Sequence, residues 1–74
     1  MTDYDTAQRA VLTALLAAHP RLLGTEEIEE GLADVPRTRE ALRVLVGDGL
    51  ATRLGDRVGA SRAAVRFDAL RASS

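Results

Sequence analysis

Residues 36–60 read PRTREALRVLVGDGLATRLGDRVGA, and a change of hydrophobic period inside this stretch decides the fold. In its first half, Thr38, Ala41, Leu42 and Leu45 fall on one face at helical spacing. Pro36 suits the first turn of such a helix, and Gly47-Asp48-Gly49 ends it. The opposite face carries Pro36, Arg39, Glu40, Arg43 and Gly47, with Arg37 and Val44 on a flank. Beyond Gly49 the pattern becomes strand-like. Residues 50–54 and 57–60 flank Gly55-Asp56, and a two-residue loop beginning with glycine signals a tight hairpin. Leu50, Thr52 and Leu54 share one side of it; Ala51 and Arg53 share the other. The stretch therefore predicts a helix over 36–47 and a hairpin over 50–60.

Upstream, Asp34 and Val35 connect to a short helix over 25–32, with Thr25 offered as N-cap and Gly31 weakening its end. Glu26, Glu27, Glu29 and Glu30 crowd its first turns, where the helix dipole favours acids, and they read as a solvated face, not a metal site. Ile28 and Leu32 stand four apart on its apolar side, and Gly24 turns the chain after Leu22 and Leu23. A first helix over 6–18 begins at Asp5 as N-cap, with Gln8 completing a weak capping box, and stops at Pro20. Val11, Leu12, Leu15 and Leu16 form its apolar face, while Ala7, Ala10, Ala14 and Ala17 widen that face on the other side, leaving one surface for a core and one for a partner. Downstream, Ser61 caps a last helix over 62–71 in which Ala63, Phe67 and Leu70 recur at i, i+4 and i+7, and Ala72-Ser73-Ser74 frays. The fold class is α+β, mainly α: three helices, a short hairpin and a C-terminal helix, in one domain over 1–74.

The chain has 74 residues, 46% hydrophobic and 28% charged, which is a globular composition too short to leave room for a second domain. Tyr4 and Phe67 are the only aromatics, so the core is aliphatic. With no cysteine, disulfides, thiol chemistry and Cys-ligated zinc are excluded. The single histidine, His19, sits beside a proline at a helix end with no Ser or Asp at useful spacing, and no glycine-rich phosphate loop is present. Neither catalysis, a metal nor a cofactor is expected. The acidic N-terminus lacks the features of a signal peptide, and no apolar run approaches the roughly 18 residues of a membrane span. A cytoplasmic location is the default reading.

The net charge of −1 is unevenly distributed. Residues 1–34 hold seven acids against Arg9 and Arg21, a net −5, whereas residues 35–74 hold eight arginines against four acids, a net +4. All ten basic residues are arginine, which suits bidentate contact with phosphate or carboxylate, although GC-rich coding produces the same bias.

In this order, Thr25-Glu26-Glu27-Ile28, Ala41-Leu42-Arg43-Val44-Leu45 and Gly49-Leu50-Ala51-Thr52-Arg53 resemble the winged helix-turn-helix domains of bacterial transcription regulators, over about residues 7–60. The resemblance implies a third helix lying in the major groove of double-stranded DNA and a hairpin wing touching the backbone or minor groove. The residues it nominates are Arg37, Thr38, Arg39 and Arg43 on the helix and Arg53 and Arg57 on the wing. Thr38 is turned towards the core by the helical phase, the wing is short and tipped by Asp56, and Glu40 lies three residues from both Arg37 and Arg43. A single copy buries too little surface for tight specific binding, so a homodimer or a larger protein partner is expected, with Ala10, Ala14, Ala17, Phe67 and Leu70 as the available apolar surfaces. The alternative is a winged-helix module that binds protein and not DNA, suggested by the acidic second helix, the overall charge and Val44 beside Gly47.

Overall fold

Helix α1 (Asp3–Ala18) buries Ala7, Val11 and Leu15 completely, three residues four apart that form a single line down the helix. Around that line the computed structural model, which describes residues 3–72, assembles β1 (Leu23–Gly24), α2 (Thr25–Gly31), α3 (Thr38–Gly47), β2 (Ala51–Leu54), β3 (Arg57–Ala60) and α4 (Arg62–Ala72). The architecture is α+β and mainly helical, with a small antiparallel sheet in the order β1-β3-β2. Its core joins Val11 and Leu15 of α1 to Leu45 of α3 and Val58 of β3, with Ile28, Ala41, Leu42 and Ala51 completing it. Among the described residues no helix is long and apolar enough to cross a membrane.

The helices start differently from the sequence expectation. Asp5 is not a cap: α1 begins at Asp3, so Asp5 lies in the first turn, where the helix dipole still favours a carboxylate. At α2 the N-cap is Gly24, not Thr25, and the Glu27 carboxylate reaches back to accept from the Gly24 N–H at 3.3 Å. The displacement follows from a strand that the sequence reading treats as a turn. Leu23 and Gly24 pair with Val58 and Arg57, and the Thr25 N–H donates to the Asp56 carbonyl at 3.1 Å, so the start of α2 is tied to the hairpin.

Pro36 is also outside its helix. Arg37 adopts a left-handed conformation (φ 64°), which breaks the helical path, and α3 starts at Thr38 with the Ala41 N–H bonded to the Arg37 carbonyl at 3.0 Å. The end of α3 is a Schellman motif: the Leu50 N–H returns to Leu45 O at 2.9 Å and the Gly49 N–H to Val46 O at 3.2 Å, with Gly49 at φ 82°. That reversal sends the chain straight into β2.

In the hairpin, Ala51 faces Ala60 and Arg53 faces Val58, so these four side chains share one side of the sheet, and Ala51 and Val58 are buried there. Thr52, Leu54 and Arg57 occupy the other side. Gly59 is there too and must stay small, because a Cβ would sit 2.5 Å from a Leu22 methyl. In α4 the Ser61 hydroxyl accepts from the Ala64 N–H at 3.1 Å, and this cap sets the helical phase. Ala64 is therefore the buried residue, while Ala63, Phe67 and Leu70 lie on the exposed side. Of the alanines on α1, Ala10 and Ala14 are half-buried and Ala17 is exposed; Ala14 and Ala17 line a shallow groove against Ile28 of α2 and Leu32 just after it, so part of that second face is covered from within the chain. Ser73 and Ser74, expected to fray, lie outside the described residues.

Truncating a fully buried residue on the α1 line removes contacts to α3 and β3 together. Leu15→Ala costs about 2–5 kcal/mol, comparable with the whole stability of so small a domain, and lowers the urea midpoint by circular dichroism accordingly. Leu54→Ala, at a side chain 61% exposed, changes stability by no more than about 0.5 kcal/mol and barely moves that midpoint.

Candidate functional site

Because Leu42 and Leu45 turn inwards, the outer face of α3 presents Arg39 and Arg43, one turn apart. These two flank an open cleft of ≈ 430 Å³ between α3, the start of α2 and the hairpin. Leu42, Val46 and Val58 supply its apolar lining, Arg53 reaches it from β2, and Glu26 and Glu29 line it from α2. Strand alternation accounts for Arg53, which shares the side of Val58 but lies one register step beyond buried Ala51, at the open edge of the core.

The three arginines are held in different ways. Arg39 donates from both Nε and Nη2 to Glu29 Oε1, at 3.1 and 2.9 Å, across ten residues of sequence. Arg53 donates from Nε to the Gly55 carbonyl at 2.9 Å, which lays its side chain along the hairpin tip. Arg43 is exposed and has no hydrogen-bond or ion-pair partner among the described residues.

The other nominated residues lie elsewhere. Thr38 does not belong to a contact surface: it is buried, and its hydroxyl donates to the Val35 carbonyl at 3.0 Å, so it serves the packing and start of α3. Arg37 is exposed beside Glu40, 3.9 Å away, and is not part of the cleft. Arg57 projects from the opposite side of the hairpin to Arg53, next to Gly24 and the start of α2. Val44, invoked as an exposed apolar contact, is half-buried. Glu26 and Glu29, read from sequence as a solvated face, are the site residues that reasoning missed. No local pattern announces them, since their relation to Arg39 exists only once α2 packs beside α3.

Phe67 and Leu70 remain the large exposed apolar side chains of α4, 66% and 56% accessible. His19 is exposed at the end of α1 with its N–H bonded to Leu15 O at 3.1 Å. Among the described residues no three His, Cys, Asp or Glu side chains come together as a metal site.

The fold alters the ionisation of Glu27. The Gly24 N–H, foremost, and then the Arg21 guanidinium at 3.4 Å hold its carboxyl below the ordinary value of 4.5, with a weaker attraction from Arg57 and a small opposing effect of desolvation.

No protein-family model, curated protein or solved structure shows a significant match to this chain.

A carboxyl lowered by folding stabilises the native state above its unfolded pKa, and that contribution is lost as pH falls through the folded value. The Glu27 contribution is thus complete above about pH 4.5 and disappears below it. Glu27→Gln removes this part of the acid dependence: urea midpoints of the wild type and the variant converge below that pH and differ above it.

Proposed function

We propose that this chain is a winged helix-turn-helix module that binds double-stranded DNA, with α3 as the recognition helix and the β2–β3 hairpin as the wing, and that it has no catalytic activity of its own. The observation that supports this best is the gathering of Arg39, Arg43 and Arg53 on one cleft between helix and hairpin. Arginine forks suit both guanine edges and phosphate oxygens, and an exposed helix face beside a short hairpin matches the groove-and-backbone contact that the resemblance implies. Arg57, on the far side of the wing, contacts a separate phosphate in this proposal. One module supplies only a handful of such contacts, so a second copy on a two-fold site is part of the proposal, with exposed Phe67 and Leu70 of α4 as its pairing surface.

A protein-binding role is favoured by one specific observation, the presence of Glu26 and Glu29 on the wall of the same cleft. A phosphate backbone is repelled there, whereas a mixed-charge protein surface is not.

Fluorescence anisotropy with mixed-sequence duplexes separates the two readings. With about four arginine–phosphate contacts from each of two copies, affinity falls about 10⁴-fold between roughly 50 and 200 mM salt, and about a hundredfold for a single copy. The double variant Arg43→Glu with Arg53→Glu loses binding at least about tenfold, and Arg57→Glu alone loses less. Absence of binding at low salt, or binding without a salt slope, overturns the DNA reading.

A further inference from the structure

We infer that Glu29 is a positioning residue that aims Arg39 at a guanine, so that Arg39 reads sequence while Arg43 supplies charge; the inference rests on the DNA reading above. A free surface arginine samples many rotamers, and fixing it on a base edge forfeits that freedom. In Arg39 that freedom is already restricted, because one carboxylate oxygen of Glu29 binds both its Nε and Nη2 hydrogens. Of the five N–H groups on the guanidinium, those two face α2. The remaining edge, formed by Nη1 and the second Nη2 hydrogen, offers two parallel donors, the pattern that matches O6 and N7 of guanine in the major groove. The side chain is 77% exposed, so that edge is open to a ligand, while Glu29 is only 33% exposed and is itself held by the packing of α2.

The contrast with Arg43 assigns the roles. Arg43 stands one turn further along the same face and has no side-chain partner among the described residues, so nothing orients it and its charge is free to follow a phosphate. Glu29 also acts on affinity with the opposite sign. Its negative charge beside the groove repels phosphate equally in every sequence, so it weakens non-specific binding while sharpening the contact to one base. Specificity is the ratio of those two affinities; the repulsion lowers both alike and cancels from it, and the orientation of Arg39 is what raises it.

The test is selection of duplexes from a randomised pool by the full chain, followed by anisotropy on the selected site and its single-base-pair variants. The wild type enriches a guanine at a defined position. Glu29→Gln, which is isosteric, binds mixed-sequence DNA more tightly and loses about five- to tenfold of its discrimination at that position. Arg39→Lys keeps the charge but loses the same position, whereas Arg43→Glu weakens binding to every duplex alike without changing which base pair is preferred; circular dichroism confirms that each variant is folded. If Glu29→Gln retains the wild-type discrimination, or the wild type binds without enriching any guanine, the positioning role is overturned and the DNA reading stands. If the wild type binds no duplex at any salt, the DNA reading itself falls and takes this inference with it.

Discussion

The packing of the Ala7–Val11–Leu15 line of α1 against Leu45 of α3 and Val58 of β3 is the constraint from which the rest of the molecule follows. With two aromatics in 74 residues, there is no large ring around which to build, and several small aliphatic contacts must be made at once. Turning Leu42 and Leu45 towards α1 obliges Arg39 and Arg43 to face outwards. Turning Val58 inwards places its cross-strand neighbour Arg53 on the same side of the hairpin, at the rim of the core. The cleft is therefore a consequence of core packing, and its three arginines line it together because Leu42, Leu45 and Val58 are buried.

Charge is organised on a second level. Along the chain most acids lie in one half and most arginines in the other, which suggests an extended basic surface. Folding brings α2 against α3 and the hairpin, setting Glu29 on Arg39 and Glu27 within the field of Arg57. Exposed ion pairs of this kind are worth only about 0–1 kcal/mol, so they contribute little to stability. What they do alter is direction. A guanidinium with two of its donors committed has a defined remaining edge, and an uncommitted one does not.

Several local features were legible because they depend on a few neighbouring residues. Gly47-Asp48-Gly49 as a helix stop became the Schellman motif at Gly49, and Ser61 became the cap of α4. The Gly55-Asp56 turn sits at the tip of the hairpin with Leu54 opposite Arg57. The features that were not legible all depend on distant partners. Leu23-Gly24 is too short to show strand periodicity and is extended only because β3 pairs with it, and that pairing moves the cap of α2 from Thr25 to Gly24. The start of α3 moves from Pro36 to Thr38 because Arg37 takes a left-handed conformation, which nothing in an arginine predicts. The apolar spacing of Ala63, Phe67 and Leu70 named a face without saying whether the core would use it; the Ser61 cap turned Ala64 inwards instead.

The sequence by itself determined the four helices and the hairpin in their order, though not strand β1, together with the aliphatic character of the core and the candidate arginines, since periodicity, capping and turn chemistry act over a few residues. Tertiary structure decided which candidates belong together. It buried Thr38 as the helical phase foretold, set Arg57 on the opposite side of the hairpin from Arg53, left Arg37 outside the cleft and brought Glu29 onto Arg39. The physical reason is that a site is a relation between side chains from different elements, and those distances exist only after the α1 line has been buried.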